Sequence, residues 1–331
     1  MRCLSIAEYF RSKKMMVIFL TKSDQIEKQI TNKGFKIKKI PKTSSIEEEL
    51  SYIKLLMFDN NIKIILLDIN NYVTFRHFDE YRIYLDKLKK LSLFLISFED
   101  FKDYPYASDI VIIPYFGAEG IKLHNKPTCK YLLGPKYCIL RDEFLKIKHV
   151  AIRKKVESIL ITMGGSDPKG ITMKVLKALN STDIEVKLNV IIGKFSQISK
   201  NNVKKVLGNY KGNYSIAKDV NNIAQLMSES DIAIINSGLT KYEISAVGLP
   251  GIVISNNEKH CKQMDEFAKY GSVIHLGEVN AVQRHQITDA VRNIINNFNK
   301  RKQMSDVGKL LIDGKAMDRI LSEIPKEFIN A

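Results

Sequence analysis

The sequence predicts an α/β protein built from two doubly wound parallel-sheet domains. Short apolar, β-rich runs alternate with amphipathic segments almost throughout the chain, which is the pattern of parallel strands joined by crossover helices. The length of 331 residues, at about 150 residues per domain, gives roughly two domains. Apolar residues make up 45% and charged residues 27%, so the composition excludes a disordered, collagen-like or coiled-coil protein.

The first half contains five runs that predict strands, separated by segments that predict helices. Strands are predicted at MMVIFL (15–20), FKIKKI (35–40), IKIILLDI (62–69), LSLFLIS (91–97) and DIVIIP (109–114). Helices are predicted around 23–31, 45–58 and 77–90. The second of these has the clearest beginning, because a serine precedes glutamates that suit the positive end of the helix dipole.

A loose stretch with glycines, prolines and weak periodicity covers residues 116–155, and we expect the domain junction inside it, near 145–155. The expected domains are therefore 1–150 and 151–331. The second half restarts with strands, predicted at VESILITM (156–163), IEVKLNVIIG (184–193), NYSIA (213–217), DIAIIN (231–236), PGIVIS (250–255) and SVIHL (272–276). Two such Rossmann-like units facing each other form a cleft at the carboxyl ends of their strands, where open α/β sheets bind ligands.

The formal net charge of +16 favours an anionic partner, such as nucleic acid, an acidic membrane surface or a phosphorylated small molecule. The lysines lie in short pieces, including RSKK, KLKK and NKRK, and not in a long basic tail. Solvated lysine-rich helix faces explain this distribution better than a nucleic-acid surface does. We therefore expect no nucleic-acid partner.

The four cysteines and six histidines form no CxxC pair, no HExxH motif and no zinc spacing. The sequence thus predicts reduced thiols and no metal. No apolar run reaches the roughly 20 residues needed to span a bilayer, and charges interrupt the apolar residues at the start of the chain. We expect a cytoplasmic protein without a membrane span.

The segment ILITMGGSDPKG (159–170) predicts a strand, a glycine turn and a helix with a proline in its first turn. Gly164 and Gly165 would let a ligand approach the backbone, and Ser166 and Asp167 are able to cap the helix, whose free amides attract phosphate. These four residues are candidate phosphate contacts. The alternative is a tight strand-to-helix turn with an ordinary cap.

The segment DIAIINSGLTKYEISAVGLPGIVIS (231–255) repeats this strand, turn and helix arrangement. Ser237, Gly238 and Thr240 can present hydroxyl and amide donors to a diphosphate, and Glu243 can accept two hydrogen bonds from a ribose diol. The alternative for Glu243 is a carboxylate that only complements the helix dipole. Because both turns lie in one α/β unit, their amides are expected at the same edge.

Further candidates lie on the next helix, in SNNEKHCKQMDEFAKYG (255–271), where Asn257, His260 and Gln263 could line the same edge. For His260 alone, the alternative is a surface histidine. Neither a GxxxxGK[ST] loop nor a GxGxxG fingerprint is present in the sequence.

In the first half, Asp68 ends a predicted strand, and Asn70 and Tyr72 follow it closely. Polar groups at the carboxyl end of a strand face the ligand crevice in this architecture. An Asx turn formed by the adjacent asparagines is the alternative. Tyr115 is a weaker candidate of the same kind.

Five segments keep the order of motifs in a known family: MRCLSIAEYF (1–10), LLGPKYCILRDEF (132–144), ITMGGSDPKGIT (161–172), NSGLTKYEISAVGLP (236–250) and LIDGKAMDRIL (311–321). Together they resemble the PseG/SpsG family of nucleotide-sugar hydrolases, which are similar to the MurG-like GT-B glycosyltransferases. The resemblance implies a GT-B-like enzyme that hydrolyses a UDP-linked diacetamido-trideoxyhexose to UDP and free sugar in pseudaminic acid biosynthesis. It implies no cofactor, a UDP-sugar as the partner, and we expect a monomer.

The resemblance also implies where the substrate binds. The nucleotide contacts would be Gly164, Gly165, Ser166, Asp167, Ser237, Gly238, Thr240, Glu243 and Gln263. The sugar contacts would be Asp68, Asn70 and Tyr72, although the family commonly has a tyrosine closer to that aspartate. A GT-B glycosyltransferase that uses a UDP-sugar and a non-catalytic nucleotide-sugar binder are the alternatives.

Family members begin with a strand and a glycine-rich loop ending in Gly-His, and only then continue with a segment like MRCLSIAE. The resemblance therefore places the general-base histidine upstream of Met1, and the catalytic residue stays unassigned. One explanation is that the native chain begins earlier, because a doubly wound unit without its first strand leaves a central slot unfilled. The other is a chain that binds the nucleotide-sugar without hydrolysing it. We expect the first.

Overall fold

Two compact units are formed by the residues that the computed structural model describes, which are 2–24, 26–42, 44–69, 78–91, 93–98, 107–120 and 129–329. Unit 1 comprises Met1–Arg141 and Lys315–Ala331, and unit 2 comprises Asp142–Gly314. The sequence analysis expected a boundary at residue 150 and a second domain that runs to residue 331. The structure differs at both points, since the boundary follows Arg141 and the chain returns to unit 1 at Lys315.

Strands and helices alternate along both units. Unit 1 first forms α1 (Arg2–Ser12), β1 (Ile18–Thr21), α2 (Glu27–Asn32), β2 (Lys36–Lys39), α3 (Ile46–Asn60), β3 (Ile64–Leu67), α4 (Phe78–Lys89), β4 (Phe94–Phe98), β5 (Ile110–Ile113) and β6 (Lys130–Leu133). Unit 2 forms α5 (Asp142–Lys146), β7 (Ser158–Thr162), α6 (Ile171–Asn180), β8 (Lys187–Ile192), α7 (Lys200–Val206), β9 (Tyr214–Lys218), α8 (Ile223–Ser228), β10 (Ile232–Asn236), α9 (Thr240–Val247), β11 (Gly251–Ser255), α10 (Glu258–Ala268), β12 (Val273–Glu278), α11 (Arg284–Asn296) and α12 (Phe298–Leu311). The chain then adds α13 (Ala316–Ser322) and α14 (Lys326–Ile329) to unit 1. No helix in the described ranges is both long and apolar enough to cross a membrane.

The last segment of the chain belongs to unit 1 because its apolar side chains complete the core of that unit. Met317 and Ile320 of α13 are buried in one cluster with Phe94 of β4. The ring of Phe328 lies 5.1 Å from the ring of Phe94. The amphipathic pattern of the sequence predicts these closing helices but does not specify the core that they join.

Unit 1 contains two parallel sheets, of strand order β1-β2 and β3-β4-β5-β6. The five strands predicted for this half are present. Helix α1 and strand β6 were not predicted. For α1 the signal exists, because Leu4, Ala7 and Phe10 recur at helical spacing and are all buried.

In the described part of unit 1, β1 and β3 do not pair with each other, although the same elements pack on both sheets. On one face, Ala7 of α1 packs against β1 and β2, whereas Ile6 of the same helix packs against β4. On the other face, Leu20 of β1 packs against the cluster that contains Leu67 of β3. Among the described residues, the sheet of unit 1 is thus interrupted between β1 and β3.

Unit 2 contains one six-stranded parallel sheet of order β9-β8-β7-β10-β11-β12. The six strands predicted for the second half are all present. From β7 the chain proceeds outward through β8 and β9, and then crosses back to β10 and proceeds outward in the opposite direction. The strand order therefore reverses between β7 and β10, which is the topological switch point of a doubly wound sheet.

The centre of the unit 2 sheet is fully covered. Strands β7, β10 and β11 are buried at every residue. Ile159 of β7 and Ile234 of β10 pack in one cluster with Val175 of α6 and Val291 of α11. Near-continuous apolar strands are expected where both faces of a parallel sheet are covered. The buried centre gives the loops at its carboxyl edge a rigid support.

Candidate functional site

The carboxyl ends of β7 and β10 lie side by side at the switch point of unit 2. Ile235 of β10 is in register with Thr162 of β7, so the loop that follows Thr162 and the loop that follows Asn236 are neighbours. Open α/β sheets bind ligands in the crevice at this point. The structure thus brings the two strongest sequence motifs together.

Asn236 connects the two loops directly. Its Nδ2 donates to the carbonyl oxygen of Met163 at 2.7 Å, and its Oδ1 accepts from the amide of Gly238 at 3.2 Å. One buried side chain therefore holds both turns in a defined relative position. The sequence analysis assigned no role to Asn236, since its partner lies 73 residues away along the chain.

The glycine turn after β7 packs closely against the end of β8. A side chain at Gly193 would collide with the carbonyl oxygens of Gly164 and Gly165. The amide of Phe195 donates to the Gly165 carbonyl oxygen at 2.9 Å. Gly164 has a φ of 69°, which glycine adopts without steric penalty. Gly165 and Ser166 are exposed, so the predicted ligand-facing part of this turn is open to solvent.

Asp167 caps helix α6, as its position before the helix predicts, and its predicted contact with the nucleotide stays a prediction. Its carboxylate accepts from the amides of Ile171 at 2.8 Å and Thr172 at 3.0 Å, and the residue is buried. The carboxylate occupies the amides of α6 that would otherwise attract an anion, and its charge opposes phosphate at that helix end. Both interpretations of this segment predict a cap, so the cap does not decide between a ligand-binding turn and an ordinary one.

The residue before helix α9 is Leu239, whose apolar side chain makes no hydrogen bond to the first amides of the helix. Most of the helix is buried, but Thr240 and Glu243 are partly exposed. Residues three apart lie on the same face of a helix. These two predicted residues therefore share the solvent-facing side of α9, next to a helix N-terminus that attracts anions.

Lys241 is buried next to the Ser237 turn, and the sequence analysis did not single it out. Its Nζ donates to the carbonyl oxygen of Ser237 at 3.2 Å and lies 4.7 Å from the ring centroid of Tyr242. Ser237 is itself buried, and its Oγ accepts from the amide of Asn256 at 3.5 Å. The lysine thus places a positive charge behind the turn. A basic residue directly after the SGLT turn is the signal that could have identified it.

Helix α10 carries the third group of predicted residues. Asn257 caps the helix, since its Oδ1 accepts from the His260 amide at 3.0 Å. His260 and Gln263 lie three residues apart and are both partly exposed. Burial and the positive charges of Lys241 and Lys259 lower the pKa of His260, so its ring is neutral near pH 7. Its Nδ1 is buried and has no hydrogen-bond partner among the described residues.

A chain of three polar side chains joins α10 to the neighbouring strands. Ser255 Oγ lies 2.9 Å from His275 Nε2, and His275 Nδ1 lies 2.8 Å from Asp265 Oδ1. The atoms match those of a hydrolase triad. Ser255 is fully buried, however, so no substrate reaches its hydroxyl. We interpret these three side chains as a structural link between α10, β11 and β12, which no local sequence pattern predicts.

In unit 1, Asp68 follows β3 directly, at the carboxyl end of the strand, and both of its oxygens are engaged. Arg2 donates through Nε to Oδ2 at 3.0 Å and through Nη2 to Oδ1, and the Cys3 thiol donates to Oδ2 at 3.1 Å. The side chains of Arg2 and Asp68 are each 22% exposed. A sugar hydroxyl would therefore compete with a bidentate ion pair for this carboxylate.

Arg2 contacts residues at the carboxyl ends of three neighbouring strands, β3, β4 and β5. Its Cζ lies 4.2 Å from the ring centroid of Phe98 at the end of β4, and it also interacts with Tyr115 after β5. Burial alone would raise the pKa of Asp68, but the hydrogen bonds and charge of Arg2 outweigh burial and lower it. Burial and the Asp68 carboxylate raise the pKa of Cys3 to about 12, which keeps the thiol protonated. The sequence analysis assigned no role to Arg2 or Cys3.

Asn70 and Tyr72, which were predicted to contact the sugar, lie outside the described residues, so these two roles stay predictions. Within the described ranges, no group of three or more His, Cys, Asp and Glu side chains has an arrangement that could hold a metal ion.

Residues 158–320 match the model of the glycosyltransferase family 28 C-terminal domain. This range begins with β7, contains the whole sheet of unit 2 and ends within α13. The match therefore covers the loops that meet at the switch point.

Two relatives match a large part of the chain. An uncharacterized protein of Methanocaldococcus jannaschii is 31% identical over 294 residues, which are 83% of this chain and 56% of that protein. The spore coat polysaccharide biosynthesis protein SpsG of Bacillus subtilis is 27% identical over 215 residues, which are 64% of this chain and 63% of that protein. The chain thus spans less than two thirds of the length of either relative.

Solved structures resemble the chain over nearly its full length. MurG of Acinetobacter baumannii has a TM-score of 0.67 at 13% identity, over 98% of this chain and 95% of that one. Spinosyn rhamnosyltransferase SpnG, complexed with thymidine diphosphate, has a TM-score of 0.59 at 13% identity, over 96% of this chain and 95% of that one. At such identities the likeness establishes the fold. The chain has the GT-B-like α/β fold with parallel sheets that the sequence predicts.

Proposed function

We propose that this chain is a GT-B-like enzyme that binds a UDP-sugar through unit 2 and hydrolyses the anomeric C–O bond, releasing UDP and the free sugar. The proposed substrate is a UDP-linked diacetamido-trideoxyhexose, the class implied by the resemblance to the PseG/SpsG family. One observation carries the nucleotide part of the proposal. The Gly164–Gly165 turn and the N-terminus of α9 meet at the switch point of the unit 2 sheet.

The comparisons support a nucleotide-sugar as the ligand. The family 28 domain match covers the sheet that holds these turns. By its name, the relative from Bacillus subtilis acts in polysaccharide biosynthesis. The structural neighbour SpnG is complexed with a nucleoside diphosphate. These findings favour a nucleotide-sugar, the same class of ligand that the Thr240 hydroxyl and the first amides of α9 favour.

In the proposed reaction, the oxygen of a water molecule forms a bond to the anomeric carbon while the bond from that carbon to the diphosphate breaks. A base takes the proton of the water, and the electron pair of the broken bond stays on UDP. The Thr240 hydroxyl and the first amides of α9 stabilise the charge that grows on the diphosphate. Lys241 adds positive charge behind the Ser237 turn. We assign the base to none of the described residues.

Glu243 has a separate role in this proposal. Its carboxylate accepts hydrogen bonds from the ribose diol, and it reaches that diol from the exposed side of α9. We expect Glu243→Gln to weaken UDP binding about 10- to 100-fold, because hydrogen bonds to a charged group are lost. Glu258→Gln is the control, since this glutamate also lies in the first turn of a helix but is largely exposed. Isothermal titration calorimetry with UDP measures both.

A GT-B glycosyltransferase is the second candidate, and the family 28 match favours it. Such an enzyme would use the same nucleotide site but pass the sugar to an acceptor hydroxyl instead of water. The two reactions differ in their need for an acceptor.

Incubation of the protein with the UDP-sugar in buffer alone separates these candidates, with phosphorus NMR to follow UDP and proton NMR to follow the free sugar. We expect UDP to appear together with an equal amount of free sugar. UDP release only after addition of an acceptor would favour the transferase. UDP binding without turnover under either condition would favour a non-catalytic binder, and a failure to bind UDP would contradict the proposed site.

A further inference from the structure

Two large apolar side chains are exposed at the carboxyl edge of the unit 2 sheet. Phe195, which follows β8, is 69% exposed, and Leu239, which precedes α9, is 56% exposed. Because the strand order is β8-β7-β10, these side chains follow the two strands on either side of β7. Single exposed apolar residues are common on protein surfaces. A pair that flanks a candidate ligand site is more specific.

The turn that follows β7 lies between the ends of β8 and β10, and Gly164 and Gly165 in this turn have no side chains. A Cβ added at Gly165 would lie 3.8 Å from Cδ2 of Phe195, so the aromatic ring stands next to this turn. The hydrogen bond from the Phe195 amide to the Gly165 carbonyl oxygen, at 2.9 Å, holds it there. On the other side, a Cβ added at Gly164 would lie 3.8 Å from the side chain of Asn236. The turn therefore leaves open space beside an exposed ring.

We propose that Phe195 stacks against the nucleobase of the bound nucleotide, with the glycine turn leaving room for the flat base. This inference rests on the proposed function, because it names a further residue of the same nucleotide site. Neighbouring strands lie about 4.8 Å apart, so β8 and β10 are separated by about 10 Å. A nucleotide whose diphosphate lies at α9, after β10, reaches β8 with its base.

The chemistry of the ring fits this role. Every nucleobase has a π face that stacks on an aromatic side chain, and stacking removes apolar surface of both rings from water. An exposed phenylalanine gains this burial only when a ligand covers it. The Lys194 ammonium, 5.9 Å from the ring centroid, adds a positive charge close to the path of an anionic nucleotide.

The test measures binding of UDP and of inorganic pyrophosphate, which has no base, to the wild-type protein and three variants. We expect Phe195→Ala to weaken UDP binding about 5- to 150-fold and to leave pyrophosphate binding unchanged. Phe195→Tyr keeps a ring and should bind UDP as the wild type does. Tyr214→Ala is the matched control, because this exposed aromatic residue lies at the opposite, amino-terminal end of β9.

Proton NMR of bound UDP gives a direct readout of stacking. The uracil ring protons should shift upfield with the wild type and with Phe195→Tyr, and not with Phe195→Ala. If UDP binds the wild type and Phe195→Ala equally well, or if pyrophosphate loses the same affinity as UDP, the inference is overturned while the nucleotide site stands. If the wild type binds no UDP, the proposed function fails and this inference fails with it.

Discussion

The two units contain similar apolar strands that differ greatly in burial. In unit 2, SILIT of β7 is buried at every residue, whereas in unit 1, IFLT of β1 is only partly buried at every residue. Strand β7 has a hydrogen-bonded neighbour on each side, but within the described ranges β1 pairs only with β2. A strand's sequence sets its tendency to pair, and the number of its neighbours decides whether its backbone is protected from water.

A second contrast lies in the arginine that joins distant segments in each unit. Arg301 of unit 2 is 1% exposed, whereas the side chain of Arg2 in unit 1 is 22% exposed. The acceptors of Arg301 are four backbone carbonyl oxygens at 2.7 to 2.9 Å, those of Arg153, Lys154, Ile294 and Ile295. Arg2 is instead paired with a single carboxylate. The more deeply buried arginine should matter more for stability.

Amide hydrogen exchange should show the largest difference between the units. Amides on the unpaired edges of β1 and β3 are expected to exchange orders of magnitude faster than those of β7 and β10, because local opening there breaks fewer contacts. Measurement by NMR at constant pH and temperature tests this.

Strand β9, at the edge of the unit 2 sheet, is the control for that measurement, since it separates the effect of an edge position from the effect of the unit. Equal protection of β1 and β7 would mean that the interrupted sheet of unit 1 is closed in solution.

Arg301→Met should lower the free energy of unfolding of unit 2 by about 3 to 5 kcal/mol, because four carbonyl oxygens, one buried and three partly buried, lose their donor. Urea titration followed by NMR signals assigned to each unit measures the change. Arg2→Met should have a smaller effect on unit 1.

The matched control is Arg292→Met, which removes an exposed ion pair with Asp183 and should leave stability unchanged. If Arg301→Met destabilises the protein no more than this control does, the difference between the buried and the partly exposed arginine is not an energetic one.

Asp167→Ala should lower the free energy of unfolding of unit 2 by about 0.5 to 2 kcal/mol, because two amides of α6 lose their cap. UDP affinity should change little, since the carboxylate points to the helix. Ser166→Ala, at the exposed neighbouring position, is the control for stability alone, because Ser166 is itself a predicted nucleotide contact. An Asp167→Ala variant with normal stability and lost UDP binding would show that Asp167 contacts the nucleotide.

The smallest expected effects concern pH. His260 has a lowered pKa in the folded protein, so the unfolded state binds the proton more tightly. Unit 2 should therefore lose stability as the pH falls from about 6.5 through the folded pKa of His260.

Asp68 also has a lowered pKa in the folded protein. The stability that its carboxylate gives unit 1 is present above about pH 3.9 and is lost as the pH falls through its folded pKa. Urea unfolding of each unit at pH 7.5, 5.5 and 3.5 measures both losses.

The variants His260→Gln and Asp68→Asn provide the reference for those curves. Each should flatten the pH dependence of its own unit only. A curve for unit 2 that keeps its slope between pH 7.5 and 5.5 in His260→Gln would assign the effect to another group.

Much of the fold could be predicted because its signals are local. All six strands of unit 2 and five of the six strands of unit 1 follow from apolar runs between turn residues. Strand β6 was not predicted, because KYLL is short and lies in a stretch rich in glycine and proline. The return of α13 to unit 1 was not predicted either, because an apolar helix face can pack against the core of either unit.

The candidate site was predictable in its residue types and less so in their roles. Gly164 and Gly165, with Thr240 and Glu243, occupy solvent-facing positions at the edge that the motifs indicated. Asp167 became a cap because the nearest amides belong to its own helix. Asn236 and Phe195 are held by contacts with residues far away in the sequence, which no local pattern predicts, whereas the contacts of Lys241 are local.

The sequence by itself determined the alternation of strands and helices and the glycine turns that end β7 and β10, because periodicity and turn chemistry act within a few residues. Only the tertiary structure decided that Asn236 meets Met163, that Arg2 occupies the carboxylate of Asp68, and that the unit 1 sheet is interrupted between β1 and β3. These outcomes depend on which distant segments come into contact, and they are selected by packing and hydrogen bonding across the whole unit and not by local preference.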